Sequence, residues 1–293
     1  MIKYLKIQET AADSFVEEYC FGSGKPEIFF TGGIHGNEVT GVYVAQQLVQ
    51  FFTENPPVKG TVKIIPVVNK TGFRCMQRRN PFDGEDLNRI FPGDPKGSFG
   101  RRLADVVYRE TENADIIVDL HCCGQHGLPY ILSIYSESEK VRKLVSEIAM
   151  PVAVHSEGTP GQLFTESTRN RDQAACIIEL PSGHSSGSVN LEVAAQCYAG
   201  LMSMLRTEGF AAGAPDGKAP TFYGTLLDAE AQTGGLWMPA AEKGTEVKEG
   251  QVIGTVDGAD VLAPADGFIM NILPCSYIFP GDLWVMTYIQ EEK

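Results

Sequence analysis

The stretch Phe29-Phe30-Thr31-Gly32-Gly33-Ile34-His35-Gly36-Asn37-Glu38 decides how the rest of the chain is read. The apolar run from Pro26 to Thr31 has the length and composition of a buried strand. A glycine pair ends it, a histidine follows, and a carboxylate comes three residues after that. From Asn37 to about Phe52 the apolar residues Val39, Val42, Tyr43, Leu48, Phe51 and Phe52 recur at near-helical spacing, until Asn55-Pro56-Pro57 stops them. Strand, tight turn and helix together set His35 beside Glu38. Gly36, which has no Cβ to restrict φ, lets that turn be tight. An imidazole nitrogen paired with a carboxylate oxygen suits Zn²⁺, and a catalytic zinc site needs a third protein ligand and an open position. A histidine in a glycine-rich turn serves structure as often as ligation, so the remaining chain has to supply the third ligand and a base.

At 293 residues the chain has room for about two domains. Its 43% hydrophobic content supports a large core. A net charge of −13 repels phosphate backbones, which argues against nucleic acid as a partner. It does not bar anionic small molecules, because a pocket can carry its own arginines. Seven cysteines, an odd number without repeating spacing, argue against a disulfide framework and for a reducing compartment. Met1-Ile2-Lys3-Tyr4-Leu5-Lys6 is not followed by an apolar signal core, and no run approaches the roughly 18 apolar residues that span a bilayer. A soluble cytoplasmic protein with no membrane partner is expected; a homo-oligomer stays open.

Outward from the opening stretch, residues 1–25 read as strands and turns. The β-branched run from Thr61 to Val68 reads as a second core strand, and strand–helix–strand order points to a largely parallel sheet with covering helices. Residues 69–98 lack periodicity and are rich in Gly, Pro, Asn, Asp and Arg, as functional loops often are. They carry Arg74, Arg78 and Arg79, then Asp86-Leu87-Asn88-Arg89. A helix is expected from Phe99 to Glu112. Asp115 to Leu120 is a strong strand signal that ends at His121. Sites in open α/β sheets collect at the carboxyl ends of strands, so His35, Glu38 and His121 fall on one sheet edge. A strand from Leu128 to Tyr135, a helix from Ser138 to Met150, and a polar segment from Gly158 to Gln173 follow. The apolar strand from Ala174 to Pro181 contains Glu179, a carboxylate costly to bury without a partner or a task. Val189 to Leu205 reads as the last helix. Residues 209–220 look like a linker, and the glycine-punctuated runs beyond them read as an all-β module. The expected division is 1–210 and 211–293.

A zinc held by two histidines and a glutamate keeps one position for water and lowers the pKa of that water from ~15.7 to about 7. Glu179 is the candidate to take the proton. Arg78 or Arg79 is the candidate to stabilise the oxyanion formed at a carbonyl. Each has a plainer alternative. Glu179 could pair with an arginine, Asp119 could face the site or cap the following turn, and the arginine-rich loop could be a solvated face. Cys122 and Cys123 read as small buried residues rather than ligands. His126, His155 and His184 read as surface or packing residues.

Gly-Gly-Ile-His35-Gly-Asn-Glu38, Asp86-Leu-Asn88-Arg89, Asp-Leu-His121 and Ile-Ile-Glu179, in that order over about residues 26–205, resemble the succinylglutamate desuccinylase/aspartoacylase family of the zinc carboxypeptidase clan. The resemblance implies a three-layer α/β/α zinc-carboxypeptidase-like domain with a mixed sheet, followed by a small all-β barrel-sandwich-like domain. It implies one Zn²⁺ held by His35, Glu38 and His121, and Glu179 as general base and acid. Asp86 would orient His35. Asn88 and Arg89 would hold a substrate carboxylate, arginine offering a planar fork for it. Arg79 would polarise the scissile carbonyl, with Arg78 as the alternative, and Arg169 would bind substrate. The implied activity is hydrolysis of the amide bond of an N-acyl amino acid. A carboxypeptidase acting on short peptides and a non-catalytic zinc- or ligand-binding relative are the alternatives. Lys243-Gly244, Val247 to Gly254 and Ala263 to Gly267 resemble a biotinyl/lipoyl-type module. Asp257-Gly258-Ala259-Asp260 stands where its exposed lysine would sit, so no attached prosthetic group is expected. Tyr277 could meet the substrate, or could simply pack.

Overall fold

The computed structural model describes residues 1–7, 14–183, 187–281 and 284–290, with 284 and 285 by backbone alone. Strands β1 (Ile2–Ile7), β2 (Ser14–Gly22), β3 (Glu27–Gly32), β4 (Thr61–Ile65), β5 (Ile116–His121), β6 (Tyr130–Ser133), β7 (Val152–His155), β8 (Ala174–Glu179) and β9 (Thr221–Thr225) form one sheet, in the order β1-β2-β4-β3-β5-β8-β6-β7-β9. Its centre, β4-β3-β5-β8, is parallel, while β1, β2 and β6 join antiparallel neighbours, so the sheet is mixed. Period-two alternation sends Phe30, Ile64 and Val118 to one face and Phe29, Ile65 and Ile117 to the other. The first face is covered by α1 (Val39–Glu54), α4 (Glu139–Glu147) and α6 (Leu191–Thr207), and the second by α3 (Phe99–Glu110) and α5 (Leu163–Arg171). The result is three layers, α/β/α.

Residues 69–98 are not the unbroken loop expected. A short helix α2 (Lys70–Cys75) opens them, with the Asn69 side chain accepting from the Gly72 backbone at 2.9 Å, and a 3-10 turn spans Leu87–Arg89. Neither is long enough to leave a periodic signature. The segment from Gly158 to Gln173 holds α5, whose buried face includes Thr165, Ser167 and Thr168; polar residues on the inner face hide its amphipathicity. β7 was also unexpected: four residues after a proline carry little signal.

The second unit stacks two antiparallel four-stranded sheets. One is β10 (Leu227–Glu230), β17 (Trp284–Ile289), β15 (Gly267–Ile272) and β12 (Glu246–Val247). The other is β14 (Ala259–Leu262), β13 (Val252–Val256), β11 (Gly235–Pro239) and β16 (Ser276–Ile278). Trp237, Ile253, Ile269 and Met286 fill the space between them. Asp257 and Gly258, at φ 48° and 84°, make the β13–β14 turn, as two-residue hairpins favour. β9 lies beyond residue 210 yet pairs with β7, so the large sheet takes its last strand from residues expected in the second unit. Tyr130, Val152 and Val154 pack against Met270 and Ile289 across the junction, where the Leu128 amide donates to the Met270 carbonyl at 2.9 Å.

One buried charge bears on stability. Glu18 on β2 is 1% exposed, and its Oε2 has no hydrogen-bond partner. Burial, with the Glu110 charge adding to it, pushes its carboxyl up to about 7. A carboxyl raised in the fold is stabilising below its unfolded value, and that contribution is lost as pH rises through 7. Glu18→Gln is therefore expected to melt a few degrees above the parent at pH 8.5, with a smaller difference at pH 5 (on the order of 1 kcal/mol). Melting curves at the two pH values check it; an equal difference at both would rule out the titration.

Candidate metal centre and hydrolytic site

β3, β5 and β8 are parallel neighbours, and their carboxyl ends deliver the central residues. His35 follows β3 by three residues, His121 ends β5, and Glu179 ends β8 in register with His121. The turn after β3 is closed by the Glu38 amide donating to the His35 carbonyl at 3.2 Å. Gly36 is needed there for a different reason from a special φ: a Cβ would lie 2.0 Å from the Gly72 carbonyl carbon, so the backbone of α2 occupies its place. The positive φ, 61°, falls at Gly33.

His35, Glu38 and His121 are buried and converge. His35 Nδ1 is 2.7 Å from Glu38 Oε1, His121 Nδ1 is 2.9 Å from Glu38 Oε2, and the two Nδ1 atoms are 3.1 Å apart. The outer nitrogens are anchored by carboxylates, His35 Nε2 on Asp86 Oδ1 at 3.0 Å and His121 Nε2 on Asp119 Oδ2 at 2.7 Å. The second oxygen of Asp119 accepts from Thr31 Oγ1 at 2.7 Å, so this residue orients a histidine and does not cap a turn. A carboxylate only accepts, so in neutral rings each Nε2 carries the proton and each Nδ1 turns a lone pair inward. Two lone pairs and a carboxylate facing one point repel unless a cation lies among them. A proton meets that need in part. Burial opposes it, yet the charges of Asp119 and Glu38 hold the His121 imidazole well above its ordinary value. In the same way Glu38, despite its burial, is pushed down to about 2 by His121 and His35. A divalent ion meets the need in full, and the donor set with its anchored outer nitrogens fits zinc.

Glu179 stands at the edge of this cluster, partly buried, with Oε2 shielded and without a hydrogen-bond partner. Burial pushes its carboxyl up to about 7; His121 opposes the rise and Glu38 adds to it. Cys122 gives its backbone N–H to Glu38 Oε2 at 3.0 Å, while burial pushes its thiol up to about 12. A group that holds its proton so firmly is a poor metal ligand, in keeping with a packing role.

The arginines divide differently from the sequence expectation. Arg78, not Arg79, reaches the cluster, with Nε on Asp86 Oδ2 at 3.1 Å and Nη1 on Glu38 Oε1 at 3.3 Å. Arg79 donates to the Gly84 carbonyl at 3.0 Å within its own loop. Asn88 is buried, and its Oδ1 accepts from the Leu163 amide at 3.1 Å, holding the start of α5. Arg89 is exposed and donates to the Asn88 carbonyl at 2.7 Å. Arg169 is not brought to the cluster. It sits near the end of α5 that leads into the amino end of β8, the edge opposite Glu179, and grips Glu137 at 2.7 and 3.1 Å. Tyr277 is 73% exposed on β16, in the sheet other than the one whose Met270 and Ile289 pack on the first domain. His126 and His155 stand apart from the cluster, and His184 lies outside the described residues.

A cavity of about 280 Å³ opens beside Glu179, walled by Cys122, Cys123 and Tyr130 and covered by Asp228, Asn271 and Thr287 of the second unit. These last three were not legible as site residues; only their position on strands that fold back over β8 identifies them.

The succinylglutamate desuccinylase/aspartoacylase catalytic domain matches residues 25–207. An N-alpha-acetyl-L-2,4-diaminobutyric acid deacetylase from Halomonas elongata is 29% identical over 246 residues, covering 79% of this chain and 70% of that protein. Among solved structures, an aspartoacylase family protein from Mesorhizobium loti superposes with a TM-score of 0.84 at 23% identity, covering 100% of this chain and 95% of the other. The product-bound ectoine utilization protein EutE (DoeB) from Ruegeria pomeroyi gives 0.84 at 21% identity, covering 99% and 95%. These two establish the shared fold over both units, while the domain match spans the strands and turns that carry His35, Glu38, His121 and Glu179. The chain therefore belongs to the succinylglutamate desuccinylase/aspartoacylase family.

Proposed function

We propose that this chain is a zinc-dependent hydrolase that cleaves the amide bond of a short N-acyl amino acid. The observation that carries the reading is the convergence of three inward-facing ligand atoms next to Glu179, a carboxylate with a shielded, unpartnered oxygen. Zn²⁺ held by His35, Glu38 and His121 would polarise the acyl carbonyl and acidify water. Glu179 takes a proton from the attacking water and passes it to the departing amine nitrogen. Arg78 offers the positive charge for the oxyanion, since it already borders the ligands, and Arg89 on the exposed side offers a fork for the amino acid carboxylate. Asp86 and Asp119 keep the two imidazoles aimed. The deacetylase relative supports an acetylated amino acid as the substrate type. A cavity of about 280 Å³ under the second unit, with Glu179 in its wall, has space for such a molecule, and the peptides in the panel below test the carboxypeptidase alternative. The shielded Glu179 oxygen disfavours a purely binding role. No helix among the described residues is long and apolar enough to cross a membrane, and seven unpaired cysteines accord with a cytoplasmic setting.

The test is hydrolysis by zinc-loaded protein of a panel of N-acetyl and N-succinyl amino acids beside short peptides. Turnover confined to the N-acyl amino acids is expected. Arg78→Ala should lower kcat/KM by about 10²-fold or more, and Arg79→Ala far less. Preference for peptides, or hydrolysis of nothing in the panel, would remove the reading.

A further inference from the structure

We propose that Asp228, on the strand that covers the cavity, selects substrates bearing a positively charged amino acid side chain. The inference rests on the deacylase reading and narrows its substrate class. Asp228, Thr287 and Asn271 form one cross-strand row over β10, β17 and β15: Asp228 pairs with Thr287, and Thr287 with Asn271. Met286 and Tyr288, on either side of Thr287, point into the core of the second unit. By strand alternation the row points the other way, toward the first domain, as Ile289 does when it packs against Tyr130 and Val152. All three line the cavity that contains Glu179.

Beside the Tyr130 hydroxyl and the Asn271 amide N–H groups, which can donate, the space offers a set of acceptors. Thr287 gives its proton to Asp228 Oδ1 at 2.9 Å. Asn271 Oδ1 and Glu179 Oε2 are shielded and have no hydrogen-bond partner. No lysine or arginine is among the described residues that line the space. Arg78 is engaged with Glu38 and Asp86, and Lys243 with the Gly127 carbonyl at 3.1 Å. A carboxylate entering this space would meet two acidic residues and unpaired oxygens. An ammonium group brings three donors, no acceptor and the opposite charge. Glu179 is reserved for the water, which leaves Asp228, steadied by Thr287 and flanked by Asn271, to receive the ammonium. Glu179 links the two places, since it lines this cavity and stands in register with His121, so a substrate whose amide lies beside Glu179 has its short side chain within the same cavity as this row.

Binding of free amino acids to the zinc-loaded full chain tests the idea without turnover. Calorimetric titrations would compare L-2,4-diaminobutyrate with L-2-aminobutyrate, which lacks only the side-chain amine. The diamino acid should bind at least about tenfold more tightly, as a charge-assisted hydrogen bond allows. Asp228→Asn should reduce that ratio to less than about threefold, and Asp228→Lys should turn the preference toward L-aspartate. Melting curves identify any variant that fails to fold, and the wild-type ratio is a test on its own. Equal binding of the two amino acids by the wild type, no binding of the diamino acid at millimolar concentration, or an unchanged ratio in a folded Asp228→Asn would overturn the assignment. Turnover of the N-acetyl derivatives separates the two levels. Hydrolysis without a preference for the cationic substrate sinks only the role of Asp228. A binding preference without hydrolysis sinks only the deacylase reading.

Discussion

Glu179→Ala is expected to keep one zinc per chain and to lose turnover by about 10²–10⁴-fold, the range supplied by a positioned acid–base group. None of the three converging ligand atoms belongs to Glu179, so the metal affinity has no reason to collapse with it. The loss should appear in kcat, because in the proposed mechanism the carboxylate acts on the water and the leaving nitrogen rather than on the ground-state substrate. Glu179→Gln gives a sharper form of the test, since it keeps the shape and removes the base. It carries a second signature. In the metal-free protein burial holds the Glu179 carboxyl up at about 7, so its contribution to stability is present below the ordinary value of 4.5 and is lost as pH rises through 7. The glutamine variant, which has no charge to bury, should therefore melt higher than the parent at pH 8 while being the poorer catalyst, the opposition expected where a strained group is kept for function. Elemental analysis, kcat on the best substrate of the panel and melting curves would decide. A Glu179→Gln protein with parental turnover would take this residue out of the chemistry.

The legible part of the site was the part written into strand ends. His35 lies just beyond an apolar run and His121 and Glu179 close the strands of two others, and runs of five or six residues, β-branched and bounded by turn residues, are too short for helices and read as strands. Their order in sequence did not dictate that β3, β5 and β8 would be adjacent, but parallel crossovers with helices between them leave few other arrangements. The choice between Arg78 and Arg79 was not legible. Successive residues in an irregular loop point in unrelated directions, and only the path of the backbone between α2 and the turn at Leu87–Arg89 sends the first to Glu38 and the second to Gly84. The place of Arg169 was hidden for a related reason. Its distance in sequence from Glu179 suits a residue near the site, but α5 and β8 intervene, and the helix leaves it at the far edge of the sheet, where Glu137 takes its fork. Asp228 and Asn271 come from a unit whose strands are short and whose pairing is wholly long-range, so nothing local marks which face will lie over the first domain.

Losing His35 should cost the metal itself. His35→Ala is expected to copurify with well under a tenth of the parental zinc and to show no turnover. Zinc added to the metal-free parent should raise its melting temperature by about 10 °C at a large excess over Kd, from mass action on the folded state alone, and should not move the variant. The geometry also sets how this shift varies with pH. Without metal, Asp119 and Glu38 keep a proton on His121 well above the usual imidazole range, and the ion has to displace that proton to use Nδ1. The proton stabilises the metal-free fold at low pH, and that contribution fades as pH climbs through the raised value. Zinc-induced stabilisation should therefore grow from pH 6.5 to pH 8.5. Asp119→Asn, which removes the charge from the outer nitrogen of His121, should weaken zinc binding by about 10–100-fold and flatten that dependence, because it lowers both the proton affinity and the metal affinity of the same ring. A zinc shift that stayed constant over this pH range in the parent would mean that the ion binds somewhere other than between the two imidazoles.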